Sequence, residues 1–125
     1  MRPYVQGSLD GLCAIYSIVN AARIISSISD AEAKALFRRI LEHLERTQDL
    51  SRVLSEGIGL ITIGGIFGKV VGDLIPCRSM PFKNRPNTPL DEFWAEMTRF
   101  LETDGQRAIL MCLSGPLWDH WSIVH

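Results

Sequence analysis

The sequence predicts an α+β fold in which helices come first and a small antiparallel sheet comes last. Three observations carry this. Apolar residues recur at helical spacing over 13–25, 29–46, 63–74 and 88–101. Strand-like segments close the chain at 107–113 and 120–125, with Ser114-Gly115-Pro116 between them as a turn. The chain has 125 residues and is 46% apolar, enough to build one core, so residues 1–125 read as a single domain.

Each element has a local cause. Residues 13–25 are apolar almost all round, with Leu12, Tyr16 and Val19 on one side and Ile15, Ile18, Ala22 and Ile25 on another, which predicts a central buried helix. Ser29-Asp30-Ala31-Glu32 is a capping box that opens a second helix reaching about residue 46. There Ala33, Leu36, Phe37, Ile40, Leu41 and Leu44 face inward, opposite Lys34, Arg38, Glu42 and Glu45. A short piece over 50–55 leads to Gly57-Ile58-Gly59. Ile63, Ile66, Phe67, Val70, Val71 and Leu74 then predict a helix despite Gly64, Gly65, Gly68 and Gly72, whose lack of side chains points to close approach of a neighbour. Residues 76–82 read as a strand and 83–89 as a turn-rich loop. Thr88-Pro89 caps a last helix with Leu90, Phe93, Trp94, Met97, Phe100 and Leu101 inward, and Asp104-Gly105 ends it.

Composition removes several function classes. Thirteen basic residues stand against fourteen acidic ones, so no basic field exists to hold a nucleic acid. The most apolar stretch, 57–76, contains six glycines with Lys69 and Asp73 and makes a poor membrane span. Three cysteines, none in a C-x-x-C pair, argue against a disulfide framework and a structural zinc site. A reducing, cytoplasmic setting fits them, and no secretory signal is visible at the N-terminus. No cofactor or metal is expected. His43 and Glu42 sit on the polar face of the second helix without partners at ligand spacing, and Cys77 and Cys112 read as core thiols.

The segment from Gln6 to Ser17 carries the chemistry. It places Cys13 at the first turn of a helix, directly after a glycine-containing loop. A thiol there meets the positive end of the helix dipole and free backbone N–H groups, which favour the nucleophilic thiolate and can also bind an oxyanion. Gln6 lies seven residues upstream, where its amide can face the same oxyanion. A lone cysteine is more often a small buried hydrophobe, and a lone histidine more often structural. His120 changes that balance, because Trp118-Asp119-His120-Trp121 sets an imidazole between two shielding rings at the start of a late strand.

The order Gln6, Cys13, His120 resembles the papain-like cysteine peptidases. The likeness rests on Gln6, on Cys13-Ala14-x-Tyr16-Ser17-x-x-Asn20-Ala21, and on His120-Trp121, about 25 of the 125 residues. It is nearest to the small bacterial members, such as the leader-peptide peptidase domains of bacteriocin exporters, and weaker to the Josephin deubiquitinases. The resemblance implies a papain-like α+β fold and a peptide or protein substrate, with Cys13 as nucleophile, His120 as general base and Gln6 as oxyanion donor.

Two departures stand beside it. The Gln-to-Cys separation is one residue longer than in papain. The family's third residue, an Asn or Asp orienting the histidine, usually lies on the strand after the His, and this sequence stops at His125. Four accounts follow: a chain truncated after the histidine strand, a Cys-His dyad, substitution by Asp10 or Asp119, or an inactive protein. Truncation is favoured, since a sheet ending on the histidine strand leaves an open edge on which a homodimer would form. Three functional readings result: a thiol hydrolase cleaving a peptide or isopeptide bond, an inactive papain-like binding module, and an acyltransferase using the same thiolate.

Overall fold

Helix α1 spans Cys13–Ser26, and every residue from Cys13 to Ala22 except Tyr16 is buried. The all-round apolar pattern therefore does what it predicts. The helix stops at Ser27, whose left-handed backbone (φ 51°) is the usual conformation for ending a helix, although glycine more often supplies it. The computed structural model describes residues 12–78, 82–114 and 119–125.

Helix α2 (Asp30–Thr47) begins in the predicted capping box. The Glu32 N–H donates to Ser29 Oγ at 3.2 Å, and the Ser29 N–H donates to Glu32 Oε2 at 2.7 Å. Ala33, Leu36, Ile40 and Leu44 are buried against α1 and its neighbours. Accepting the Ser29 N–H holds the Glu32 carboxyl below its ordinary range. Its contribution is complete above the ordinary carboxylate pKa and is lost as pH falls through the lower, folded value. Ser29→Ala should cost about 1 kcal/mol at neutral pH. Glu32→Gln should flatten the acid limb of the melting temperature plotted against pH, and an unaltered limb would contradict the capping account.

Helix α3 (Leu50–Glu56) starts at Asp49, whose carboxylate accepts the Arg52 N–H, and Val53 buries it on the core. Gly57 (φ 81°) ends it. The segment predicted as one helix over 63–74 is helix α4 (Leu60–Ile66), continued by a π-helical turn over Phe67–Val71. Gly72 is what the wider turn demands, because a Cβ there would lie 2.7 Å from the Phe67 carbonyl oxygen. Gly65 passes His43, with 3.9 Å between His43 Nε2 and the place a Cβ would take. His43 is thus partly buried, not out on the polar face. Gly64 and Gly68 have open space around them, so close approach does not explain those two.

The strand expected over 76–82 does not form in its described part. Residues 76–78 are irregular, and Phe82 opens a turn closed by the Arg85 N–H on the Phe82 carbonyl. Thr88 closes the next turn through its N–H and hydroxyl on the Arg85 carbonyl, and its side chain makes no cap bond to the following helix. That helix, α5 (Leu90–Glu102), has Pro89 at its N-cap and only Met97 buried. Leu90 (69% exposed) and Trp94 (46%) face outward, contrary to expectation. Phe93 meets Phe82 and Trp94, and the Arg107 guanidinium covers the Phe100 ring at 4.9 Å.

Strands β1 (Ile109–Ser114) and β2 (Asp119–Val124) pair antiparallel, with Leu110 opposite Ile123, Cys112 opposite Trp121 and Leu113 opposite His120. Among the described residues the architecture is α+β: five α-helices and this two-stranded sheet. The core joins Ile15, Ile18 and Val19 to Leu36, Ile40 and Leu44, with Val53, Ile66 and Val71 closing it from the middle of the chain. Leu110 and Ile123 rest on that core, so one face of the sheet is turned to α1. No single helix among the described residues is long and apolar enough to cross a membrane.

Candidate active site

Cys13 is the first residue of α1 and is 8% exposed. Leu12 at the N-cap offers no side-chain acceptor, and the first turn contains no acid. A helix start carries partial positive charge, which favours a negative group placed on it.

What sits on it is strand β2. The Trp121 backbone N–H donates to Cys13 Sγ at 3.4 Å, bridging 108 positions of sequence. One turn further along α1, Ser17 Oγ donates to the Trp121 carbonyl at 3.3 Å. Both peptide groups of Trp121 thus point at α1. In an antiparallel ladder a residue's N–H and C=O lie on the same side, which makes Trp121 and Cys112 a pair without ladder bonds and leaves those bonds to positions 120 and 122. The Trp121 indole Nε1–H donates in turn to the Ile58 carbonyl at 3.0 Å, drawing the segment between α3 and α4 to the same place.

His120 precedes this residue directly. It is exposed and lies across the ladder from Leu113. Ile123 packs on the core, so alternation puts position 120 on the other face of the strand from 121 and 123. The fold therefore brings the backbone beside His120 onto the Cys13 sulfur, with His120 itself exposed. Gln6 and Asp10 fall outside the described residues. Asp119 opens β2 opposite Ser114.

The other two cysteines correct the sequence reading, for both are exposed rather than core thiols. Cys112 lies on β1, whose sheet has two strands among the described residues. Cys77 donates its S–H to the Arg78 carbonyl at 3.5 Å, and shielding of the sulfur by the chain pushes this thiol up. Sequence reasoning also missed Ser17 and the Ile58 carbonyl as parts of the site. A serine four residues after the cysteine, on the same side of a helix, was the available sign of the first. Nothing in the sequence pointed to the second.

Comparison with known proteins returned nothing: no family model, no curated protein and no solved structure matches this chain.

Proposed function

We propose that this chain is a cysteine-dependent hydrolase that cleaves a peptide or isopeptide bond through a thioester on Cys13, with His120 as general base. The observation that supports it most is the meeting of Cys13 Sγ with the residue next to His120, from opposite ends of the chain. In this reading His120 takes the Cys13 proton and the sulfur adds to the substrate carbonyl. The oxyanion then lies at the start of α1, where first-turn N–H groups and the Gln6 amide receive it. His120 returns the proton to the leaving amine, and water releases the acyl group from sulfur. An amine in place of that water would make the same site an acyltransferase.

The second reading, a papain-like module that binds without turnover, is favoured by one observation: His120 is exposed, at a strand position alternate to Ile123, which packs on the core. Competitive alkylation separates the two. Iodoacetamide at about pH 7 should modify Cys13 at least about ten-fold faster than Cys77 or Cys112 if the thiolate is stabilised. Access alone gives the opposite order, since Cys13 is the buried thiol and the other two are exposed. Cys13 reacting last, in peptide-resolved mass spectrometry, would reject the hydrolase in favour of the module.

A further inference from the structure

Three hydrogen bonds converge on Trp121, two from its backbone to α1 and one from its indole to the segment between α3 and α4. The Trp121 N–H meets Cys13 Sγ, its carbonyl receives the Ser17 hydroxyl, and its indole holds Ile58. A serine inside a helix has a default acceptor, the carbonyl four residues back, which here belongs to Cys13 itself. Ser17 instead reaches the Trp121 carbonyl, 104 positions away, at a site where it is 6% exposed. Cys13 and Ser17 are one turn apart on α1, so together they grip the two peptide groups of one β2 residue and fix how far the strand slides along the helix.

We infer that Ser17 and Trp121 are positioning residues for the Cys13 nucleophile: the Ser17 hydroxyl and the Trp121 indole hold β2 so that the Trp121 N–H remains aimed at the sulfur. This rests on the reading of Cys13 as nucleophile and deepens it. Negative charge on sulfur strengthens an N–H···S bond, so a donor held in place favours thiolate over thiol, as any hydrogen bond to the charged form does. Losing the Ser17 hydroxyl leaves the carbonyl it served without that donor and frees the strand to shift. The indole bond to Ile58 holds the same strand through its side chain. Neither residue touches a reacting atom by its side chain. His120, the residue beside Trp121, is the titratable group that β2 brings nearest in sequence, and the first turn of α1 contributes no acid.

The test uses iodoacetamide on the intact chain and reads Cys13 alone by mass spectrometry. In this reaction the thiolate sulfur bonds to the methylene carbon, iodide leaves, and the thiol proton has already gone to solvent or His120. The rate at about pH 9.5 measures access, since an ordinary thiol is mostly ionised there, and the ratio of the rate at about pH 7 to that rate measures thiolate stabilisation. Ser17→Ala should lower the ratio about five-fold, the effect of one ordinary hydrogen bond, and Ser17→Thr, which keeps the hydroxyl, should restore most of it. Trp121→Phe, which keeps the backbone N–H and loses the indole bond, should lower it about two-fold to three-fold. Far-UV circular dichroism reports whether each variant folds, and Trp121→Phe carries the test if Ser17→Ala does not. Rates that change equally at both pH values indicate altered access only and overturn the proposal. A high ratio in the unaltered chain that neither variant changes also overturns it while leaving the nucleophile intact. A ratio no higher than that of Cys112 removes the nucleophile reading and this inference with it.

Discussion

Cys13→Ala should abolish peptide-bond cleavage, lowering the rate on a random peptide pool by about a thousand-fold or more, as followed by chromatography of the products. His120→Ala should lose about as much, and the double variant should lose no more than either single one. The reason is that sulfur and imidazole act as one unit: without the base the thiol stays protonated, and without the thiol the base has nothing to activate. Losses that multiply in the double variant would mean that the two residues act independently. That outcome would favour the binding module, as would a Cys13→Ala chain with undiminished cleavage.

The largest stability effect is expected at Ile18→Ala. Ile18 is wholly buried in the middle of α1, inside the cluster that joins this helix to α2 and the π-helical turn. Removing most of its side chain loses transfer free energy and leaves a cavity, together about 2–5 kcal/mol. For a chain of this size that is a fall of roughly 10 °C or more in melting temperature. Ile61→Ala is the matched control, because Ile61 is 93% exposed and should change stability by less than about 0.5 kcal/mol. Similar melting temperatures for the two variants would contradict the central position of α1, and with it the platform that carries Cys13 and Ser17.

How far the sequence reveals this fold depends on where the decisive interaction lies. The capping box at Ser29 and Glu32 and the apolar stripe through Ala33, Leu36, Ile40 and Leu44 are local, and both form as read. The all-round apolar run from Cys13 to Ala22 likewise predicts burial from its own composition. The π-helical turn at Phe67–Val71 is invisible to a periodicity search, since its apolar residues keep ordinary helical spacing and only Gly72, close under the Phe67 carbonyl, betrays the wider turn. Thr88 misleads because the helix starts one residue later than read, with Pro89 at the N-cap, while the Thr88 hydroxyl turns back to donate to the Arg85 carbonyl. Leu90 and Trp94 have inward spacing, but spacing cannot say whether a surface exists for them to pack on. The cysteines err in the same way: apolar neighbours in sequence do not by themselves bury Cys112, which is exposed on β1.

The site was legible in its parts more than in its joints. Cys13 at a helix start and His120 on a late strand follow from local pattern, and the structure adds their shared neighbour, Trp121. The grip by Ser17 and the latch on Ile58 are contacts between distant segments, which no local pattern encodes.

The acyl intermediate itself tests the central claim most directly. The chain is mixed with a random peptide pool, quenched in acid within seconds, and its intact mass and peptide map are recorded. An acyl group on the Cys13 sulfur in the unaltered chain, absent from the His120→Ala variant, is the result that a Cys13 thioester formed with His120 as base predicts. No adduct in the unaltered chain, or an equal adduct without His120, would contradict it.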